Sequence, residues 1–283
     1  MAVINLVGLV MVLSASQVVA LYEQGSSWYY FVRQAIWLGV GGVALVVAMV
    51  VDYHVWQRWA RAVLLVAVGL LALVLVVGEE VNGSKRWLGI GDFGIQPSEF
   101  AKLAVILFAA DLLARRADRI ERTDLTLRPL IVVLAVVAAL ILLEPNLGTT
   151  LVLAAIVFAM LFVAGTPLRS LAAVGAFGMG GGLLMALAAP YRRARLLAFL
   201  DPWSDPQNTG YQTIQSLVGT ASGGLLGVGL GASRAKWGFL PFAHTDFIFA
   251  VIAEELGLLG AFGDDLALHR VRRARRQHRA ASP

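Results

Sequence analysis

Apolar and polar positions fall into long blocks along this chain. Eight apolar runs stand out, at roughly residues 2–21, 34–51, 62–78, 99–114, 129–144, 147–165, 171–190 and 246–263. A spanning helix needs about 20 apolar residues, and each run is long enough or nearly so. Membrane β-strands would alternate apolar and polar residues over about 10 positions; these runs do not. Lipid offers backbone N–H and C=O groups no partner, so helices are the remaining solution. The pattern predicts an all-α polytopic membrane protein. It would be a bundle of about eight transmembrane helices, with a large outer loop, 191–245, between the seventh and eighth.

Composition agrees. Of 283 residues 59% are apolar and 14% charged, with mean hydropathy +0.76; soluble domains average about 25% charged. Cysteine is absent, which excludes disulfides and thiolate metal or nucleophile sites. The net charge of +5 reads as cytoplasmic Lys and Arg rather than nucleic-acid binding. The first run has no basic start and is too long for a signal-peptide core, so it reads as a retained first span.

Lys and Arg set the orientation. Arg58 and Arg61, five arginines within 115–128, Arg169 and six arginines beyond 264 mark one side, whereas 22–30 carries none. Both termini are therefore expected to be cytoplasmic. Two outer segments depart from the rule. Lys85 and Arg86 lie in 79–98, and Arg192, Arg193, Arg195, Arg234 and Lys236 in 191–245. An anionic ligand on the outer face would explain them; chance would too, since long loops translocate despite charge. Trp28, Tyr29, Tyr30, Trp87, Trp203 and Trp237 read mostly as interface anchors. The glycines of "GVGG" (39–42) and "GMGGG" (178–182) read as close helix packing. "GGLLGVGLGASR" (223–234) lacks the G-K-[ST] ending of a phosphate loop.

The polar residues inside apolar runs carry the chemistry. An ion costs about 2.5–3.5 kcal/mol at a span centre on insertion scales, so each needs a reason. Glu99 and Lys102 share a helical face; they either neutralise each other or touch a polar substrate. "EPNLGTT" (144–150) is a tight turn that explains Asn, Pro and Gly but not Glu144. Asp201 and Asp205 precede prolines and start turns. They are also candidate ligands of Mg²⁺ or Mn²⁺. Asp246 opens the last run, and helical geometry would place it on one face with Ala250, Ala253 and Gly257. That small-residue stripe would admit a neighbouring helix or a lipid chain. Asp246 is either a helix N-terminal carboxylate or a functional base. His244 would orient a partner or cap a turn. Glu254 and Glu255 read as structural groups bonded within the bundle.

Four stretches together resemble the SEDS family, that of FtsW and RodA: "VNGSKRWLGIGDFGIQPSEFAKLA", "EPNLGTT", "LDPWSDPQNTGYQTIQSLVGTASGGLLGVGLGASRAKWGFLP" and "AHTDFIFAVIAEELGLLGA". They occur in the family's order, and "GYQTIQSL" with "GVGLGASRAKWGFLP" is closer to the division-site branch than to the elongation branch. The resemblance implies a glycosyltransferase that polymerises peptidoglycan from lipid II. In that reaction a sugar 4-hydroxyl attacks the anomeric carbon, and undecaprenyl pyrophosphate leaves with inversion. It makes Asp246, in the family's "HTDF" motif, the expected general base. Arg86, Lys102 and Arg195 are the expected partners of the pyrophosphate, with Glu99 positioning Lys102 and His244 in substrate binding. The polyprenyl tail would lie on the small-residue stripe. No resident cofactor is implied with certainty; a divalent cation is one way to stabilise the leaving group. Implied partners are lipid II, a class B penicillin-binding protein and other division proteins, at the septum of a bacterial inner membrane.

The chain departs from the family at Asn146, where Asp is usual, and at Phe242, where Glu is frequent. Family members usually have ten spans. Residues 1–263 read as a SEDS-type transmembrane domain lacking the last two, and 264–283 as an atypical basic tail of the kind a frameshift or truncation leaves. Two competing functions remain open: a lipid II flippase, which would need alternating access and usually internal repeats, and a non-catalytic scaffold of the division complex.

Overall fold

The computed structural model describes residues 2–81, 84–90, 93–117, 123–261 and 263. The tail at 264–283 lies outside the described residues. In chain order the helices are α1 (Ala2–Gln24), α2 (Tyr29–Val50), α3 (Tyr53–Val77), α4 (Pro97–Arg115), α5 (Thr123–Leu143), α6 (Leu147–Val163), α7 (Leu168–Ala188), α8 (Pro190–Leu200) and α9 (Tyr211–Ser222). A further helix, α10, runs over 248–261. Each of the eight apolar runs lies on one of these helices. Among the described residues, four helices are by length and hydropathy long and apolar enough to cross a membrane: α1, α2, α3 and α7. α5 and α6 contain shorter apolar helical stretches.

The segment 79–98, expected as an outer loop, contains a small antiparallel sheet. Strands β1 (Glu79–Val81), β2 (Ser84–Ile90) and β3 (Phe93–Ile95) lie in the order β1-β2-β3. The β2–β3 register pairs Leu88 with Ile95 and Gly89 with Gly94. "SKRWLGI" and "FGI" are too short for a core-buried strand pattern, and their polar neighbours concealed them. The segment 191–245 is likewise not all loop, for it holds α8 and α9.

The chain divides into two compact units. Unit 2, Val50–Arg192, packs α3 to α7 around one apolar core. α3 contributes Ala60, Leu64, Ala67, Leu71 and Val74, spaced three or four apart on one face. α4 answers with Ala101, Ala104, Val105 and Ala109, all fully buried. Small residues at such a seam let the two backbones approach closely, which is how helices associate where lipid supplies no hydrophobic drive. Leu130, Val137 and Ile141 of α5 and Leu153, Val157 and Leu161 of α6 complete the core.

Unit 1 comprises Met1–Met49 and Arg193–Pro283. Its core joins Met11 and Ala15 of α1 to Ala235, Leu240 and Ala243 of the long segment and to Ala250 and Val251 of α10. α10 is interrupted. Gly257 has φ 70°, and the chain at 224–229 inserts into the helix ladder there. Val228 and Gly229 N–H donate to the carbonyls of Glu254 and Glu255 at 2.9 and 3.0 Å, while Leu258 and Leu259 N–H donate to Gly224 and Leu225 carbonyls at 2.9 and 3.1 Å. Four backbone groups at the break thus find partners, as irregular backbone at membrane depth requires. A Cβ on Gly227, at φ 80°, would strike the Glu255 carbonyl. This close backbone approach, not nucleotide binding, accounts for that part of the glycine-rich segment.

The outward surfaces are apolar. α2 buries no residue, and Val163 and Phe177 are 85% and 86% exposed. Exposed apolar side chains in such number on each unit mark a membrane interface.

Candidate functional site

The buried polar centre of unit 1 lies on α10. Glu254 and Glu255 are 3% and 1% exposed. Glu254 accepts from Ser233 Oγ at 2.5 Å, Arg234 N at 3.0 Å and Ala235 N at 3.3 Å. Glu255 accepts from Ser14 Oγ at 2.7 and 2.8 Å and from Lys236 Nζ at 3.3 Å. Lys236, itself 3% exposed, also donates to the Gly231 carbonyl at 2.6 Å. Buried carboxylates need this number of donors to offset lost hydration. The two glutamates therefore act as the mould for residues 231–240. The structure corrects one expectation: Lys236 is not a surface cation awaiting an anionic ligand but the internal counter-ion of Glu255.

That anchored segment leads into the turn 241–247. The carbonyl of Phe242 accepts from Thr245 N at 3.1 Å, from Phe247 N at 3.3 Å and from Thr245 Oγ1 at 3.3 Å, which closes the turn. Asp246 stands on it with an exposed side chain. It precedes the first residue of α10, so it does not extend the Ala250–Ala253 stripe as helical geometry suggested. Ala250 and Ala253 are 4% and 2% exposed, so protein already covers this face. It is not available to a polyprenyl tail.

His244, two residues before Asp246, is half-buried. Its ring packs against that of Tyr30 in a tilted arrangement, with centroids 4.8 Å apart and planes at 36°, and Tyr30 Oη donates to Glu23 Oε2 at 2.9 Å. Burial lowers the His244 pKa, opposed by the nearby carboxylates of Glu23 and Asp246. Sequence reasoning missed Glu23 and took Tyr30 for an interface anchor; no spacing signal links residues so far apart in the chain. Arg195 lies on α8 with an exposed side chain.

The remaining candidates belong to unit 2. Glu99 and Lys102 form an ion pair at 2.7 Å, and both side chains retain some exposure. Exposed pairs contribute about 1 kcal/mol or less. Glu99→Gln is accordingly expected to change thermal stability by less than about 1 kcal/mol, read from unfolding in detergent. A larger loss would show a structural role, whereas lost activity at parental stability would show a substrate role.

Arg86, on β2, donates Nε to the Glu144 carbonyl and Nη2 to the Pro145 carbonyl, both at 2.8 Å. Part of its donor capacity is thus spent on clamping the "EPNLGTT" turn. In the same turn Asn146 Oδ1 caps α6 by accepting from Thr149 N at 3.2 Å, a role Asn performs as well as Asp.

Glu144 follows the last residue of α5. It is 1% exposed, and neither carboxylate oxygen has a partner among the described residues. Burial pushes its pKa up to about 7, against the opposing charge of Arg86. The folded state therefore holds this proton where the unfolded chain releases it near 4.5. The stabilisation is complete below that value and is lost as pH rises through about 7. Glu144→Gln is expected to flatten this slope and raise stability at about pH 8 by on the order of 2 kcal/mol. Thermal unfolding at acid and alkaline pH checks it, and an unchanged slope would rule out Glu144 as the source.

Asp201 Oδ1 accepts from Trp203 N at 3.1 Å. Asp205 accepts from Asn208 Nδ2 at 3.0 Å and from Thr209 N and Oγ1 at 3.2 and 3.1 Å. Both carboxylates serve their own turns, and no group of three or more His, Asp or Glu suited to a metal occurs among the described residues. The pair does not fit a resident cation site.

These features define a helical membrane protein in which a buried acid pair moulds a long segment and presents an exposed carboxylate beside a histidine. The chain belongs to the FtsW/RodA/SpoVE family of cell cycle proteins, whose family model matches residues 1–264. It is 43% identical over 255 residues to the probable peptidoglycan glycosyltransferase FtsW of Thiomicrospira cyclica, covering 90% of this chain and 66% of that one. It is 42% identical to the same-named protein of Saccharophagus degradans, covering 92% and 68%. The chain thus spans about two thirds of the length of these relatives. Among solved structures, a peptidoglycan synthase complex described for coordination of polymerization and crosslinking matches with TM-score 0.67 and 32% identity. The match covers 95% of this chain and 75% of that one.

Proposed function

We propose that this protein polymerises peptidoglycan glycan strands from lipid II. The observation that carries the reading is Asp246, an exposed carboxylate on a closed turn whose approach is fixed by the Glu254–Glu255 network. The names of the relatives, probable peptidoglycan glycosyltransferases, support it. Asp246 accepts the proton of the attacking sugar 4-hydroxyl. The hydroxyl oxygen forms the new bond to the anomeric carbon, and the bond to the lipid pyrophosphate breaks with inversion, its electron pair leaving on the pyrophosphate. A general base within hydrogen-bond reach of the hydroxyl contributes about 10²–10⁴-fold. Pyrophosphate is already a stable anion, so cations rather than a second acid assist its departure. Arg195 has that role and His244 contacts substrate; Arg86, Glu99 and Lys102 of unit 2 are proposed as substrate-binding residues in their own right, with Glu99 holding Lys102. No step is assigned to a divalent cation.

The same proposal places eight spans in a bacterial inner membrane at the division septum. Both termini are cytoplasmic, and the segment between α7 and α10 lies on the outer face. A class B penicillin-binding protein and other division proteins are the partners. The test is polymerisation of purified lipid II by the protein with its class B partner in detergent or vesicles. Glycan strands are the expected product. Transfer of lipid II between leaflets without strands would support a flippase instead, and neither activity would support a scaffold.

A further inference from the structure

The outer end of α1, the start of α2 and the turn before α10 meet within unit 1. Three side chains from them form a sequence of contacts: Glu23 Oε2 accepts from Tyr30 Oη at 2.9 Å, and the Tyr30 ring packs against His244 in a tilted arrangement at 4.8 Å. His244 Nδ1 is buried with no partner among the described residues, so no protein hydrogen bond to that atom fixes the ring. The Tyr30 ring is the aromatic group packed against it. The turn itself is closed by a single carbonyl, that of Phe242, held at φ 58°, a conformation a bulky residue adopts only under external support.

We propose that Tyr30 and Glu23 are positioning residues of the site: Tyr30 holds the His244 imidazole, Glu23 fixes the Tyr30 hydroxyl, and through His244 they set the placement of Asp246. The inference rests on the reading of Asp246 as the base. Neither residue touches the reacting atoms. The charged groups acting on the imidazole are Glu23 from α1 and Asp246 from its own turn; on α2, Tyr29 and Arg33 lie beside Tyr30, with Arg33 Nη1 donating to Tyr29 Oη at 3.4 Å.

The test compares Tyr30→Leu, Tyr30→Phe and Glu23→Gln in the full chain with its class B partner, using lipid II. A displacement of about 1 Å at a reacting group can cost about 10²-fold. Tyr30→Leu is therefore expected to lower kcat by at least roughly tenfold, with KM little changed. Tyr30→Phe keeps the ring but loses the bond to Glu23, so its kcat is expected to fall between those of the parent and Tyr30→Leu. A second readout needs no activity: the His244 Cε1–H resonance, assigned by its absence in His244→Gln, followed against pH. Glu23→Gln removes a carboxylate and should lower the His244 midpoint, while Tyr30→Leu exposes the ring and should raise it. Parental kcat in Tyr30→Leu, or a His244 midpoint unmoved by both variants, would overturn the inference. Asp246→Asn run alongside separates the two claims. If it still polymerises, the base assignment fails, while the His244 titration continues to report on positioning.

Discussion

Asp246→Asn is expected to reduce the initial rate of glycan polymerisation by about 10²–10⁴-fold while leaving the fold intact. Asn matches Asp in shape, and the side chain is exposed with no hydrogen bond to its carboxylate among the described residues. Exposed substitutions of this kind change stability by about 0.5 kcal/mol or less. The activity loss would therefore come from chemistry: a neutral amide cannot take the proton of the attacking hydroxyl. KM for lipid II should change little, because the proton transfer belongs to the transition state. The check is strand formation at saturating lipid II together with a thermal unfolding curve. A parental rate in the variant would remove Asp246 as the base. A lost rate with a collapsed unfolding transition would show instead that the carboxylate stabilises the turn.

The helices were legible because their signal is local. Each apolar run records its own need for lipid, and all eight fall on helices. The position of Asp246 was misread by part of a turn, since an apolar run continues through "DFIFA" while the backbone at 241–247 is closed by the Phe242 carbonyl. Periodicity cannot register a carbonyl. The small sheet at 79–95 escaped for a similar reason, its three strands being short and set among charged residues. The site was legible in parts. The spacing of Glu99 and Lys102 placed them on one helical face but did not decide between pairing and substrate contact. Glu254 and Glu255 announced that something must satisfy them, but not that Ser14 and Lys236 would, because those contacts join segments 241 and 19 residues away. Lys236 illustrates the limit. Its position among basic residues on the outer side suggested an anion, whereas the nearest anion is inside the fold. Tyr30 and Glu23 carried no signal at all, since nothing in a lone tyrosine near a span end distinguishes a ring that supports a histidine from one that sits at a lipid headgroup.

The pairing of Lys236 with Glu255 gives the largest expected effect on stability. Lys236→Met keeps the length of the side chain and removes its charge. Glu255, whose side chain is fully buried, would retain Ser14 Oγ and the weaker bond from Ser233 N but lose its only cation among the described residues. Breaking a buried pair from one side costs about 3–5 kcal/mol, because the surviving charge remains desolvated and unpaired. The double change Lys236→Met with Glu255→Gln is expected to recover much of that loss, since neither charge is then buried and the Gln amide oxygen can still accept from Ser14. Thermal unfolding of the parent, both single variants and the double variant completes the cycle. A coupling of several kcal/mol identifies the pair as the anchor of 231–240. Single variants as stable as the parent would mean that water reaches Glu255 and that the segment is held by its backbone bonds alone. Polymerisation adds a second reading. The anchored segment leads directly into the turn bearing Asp246, so the single variants should lose activity even at temperatures where they remain folded. The double variant should regain activity only so far as an amide at position 255 restores the same mould.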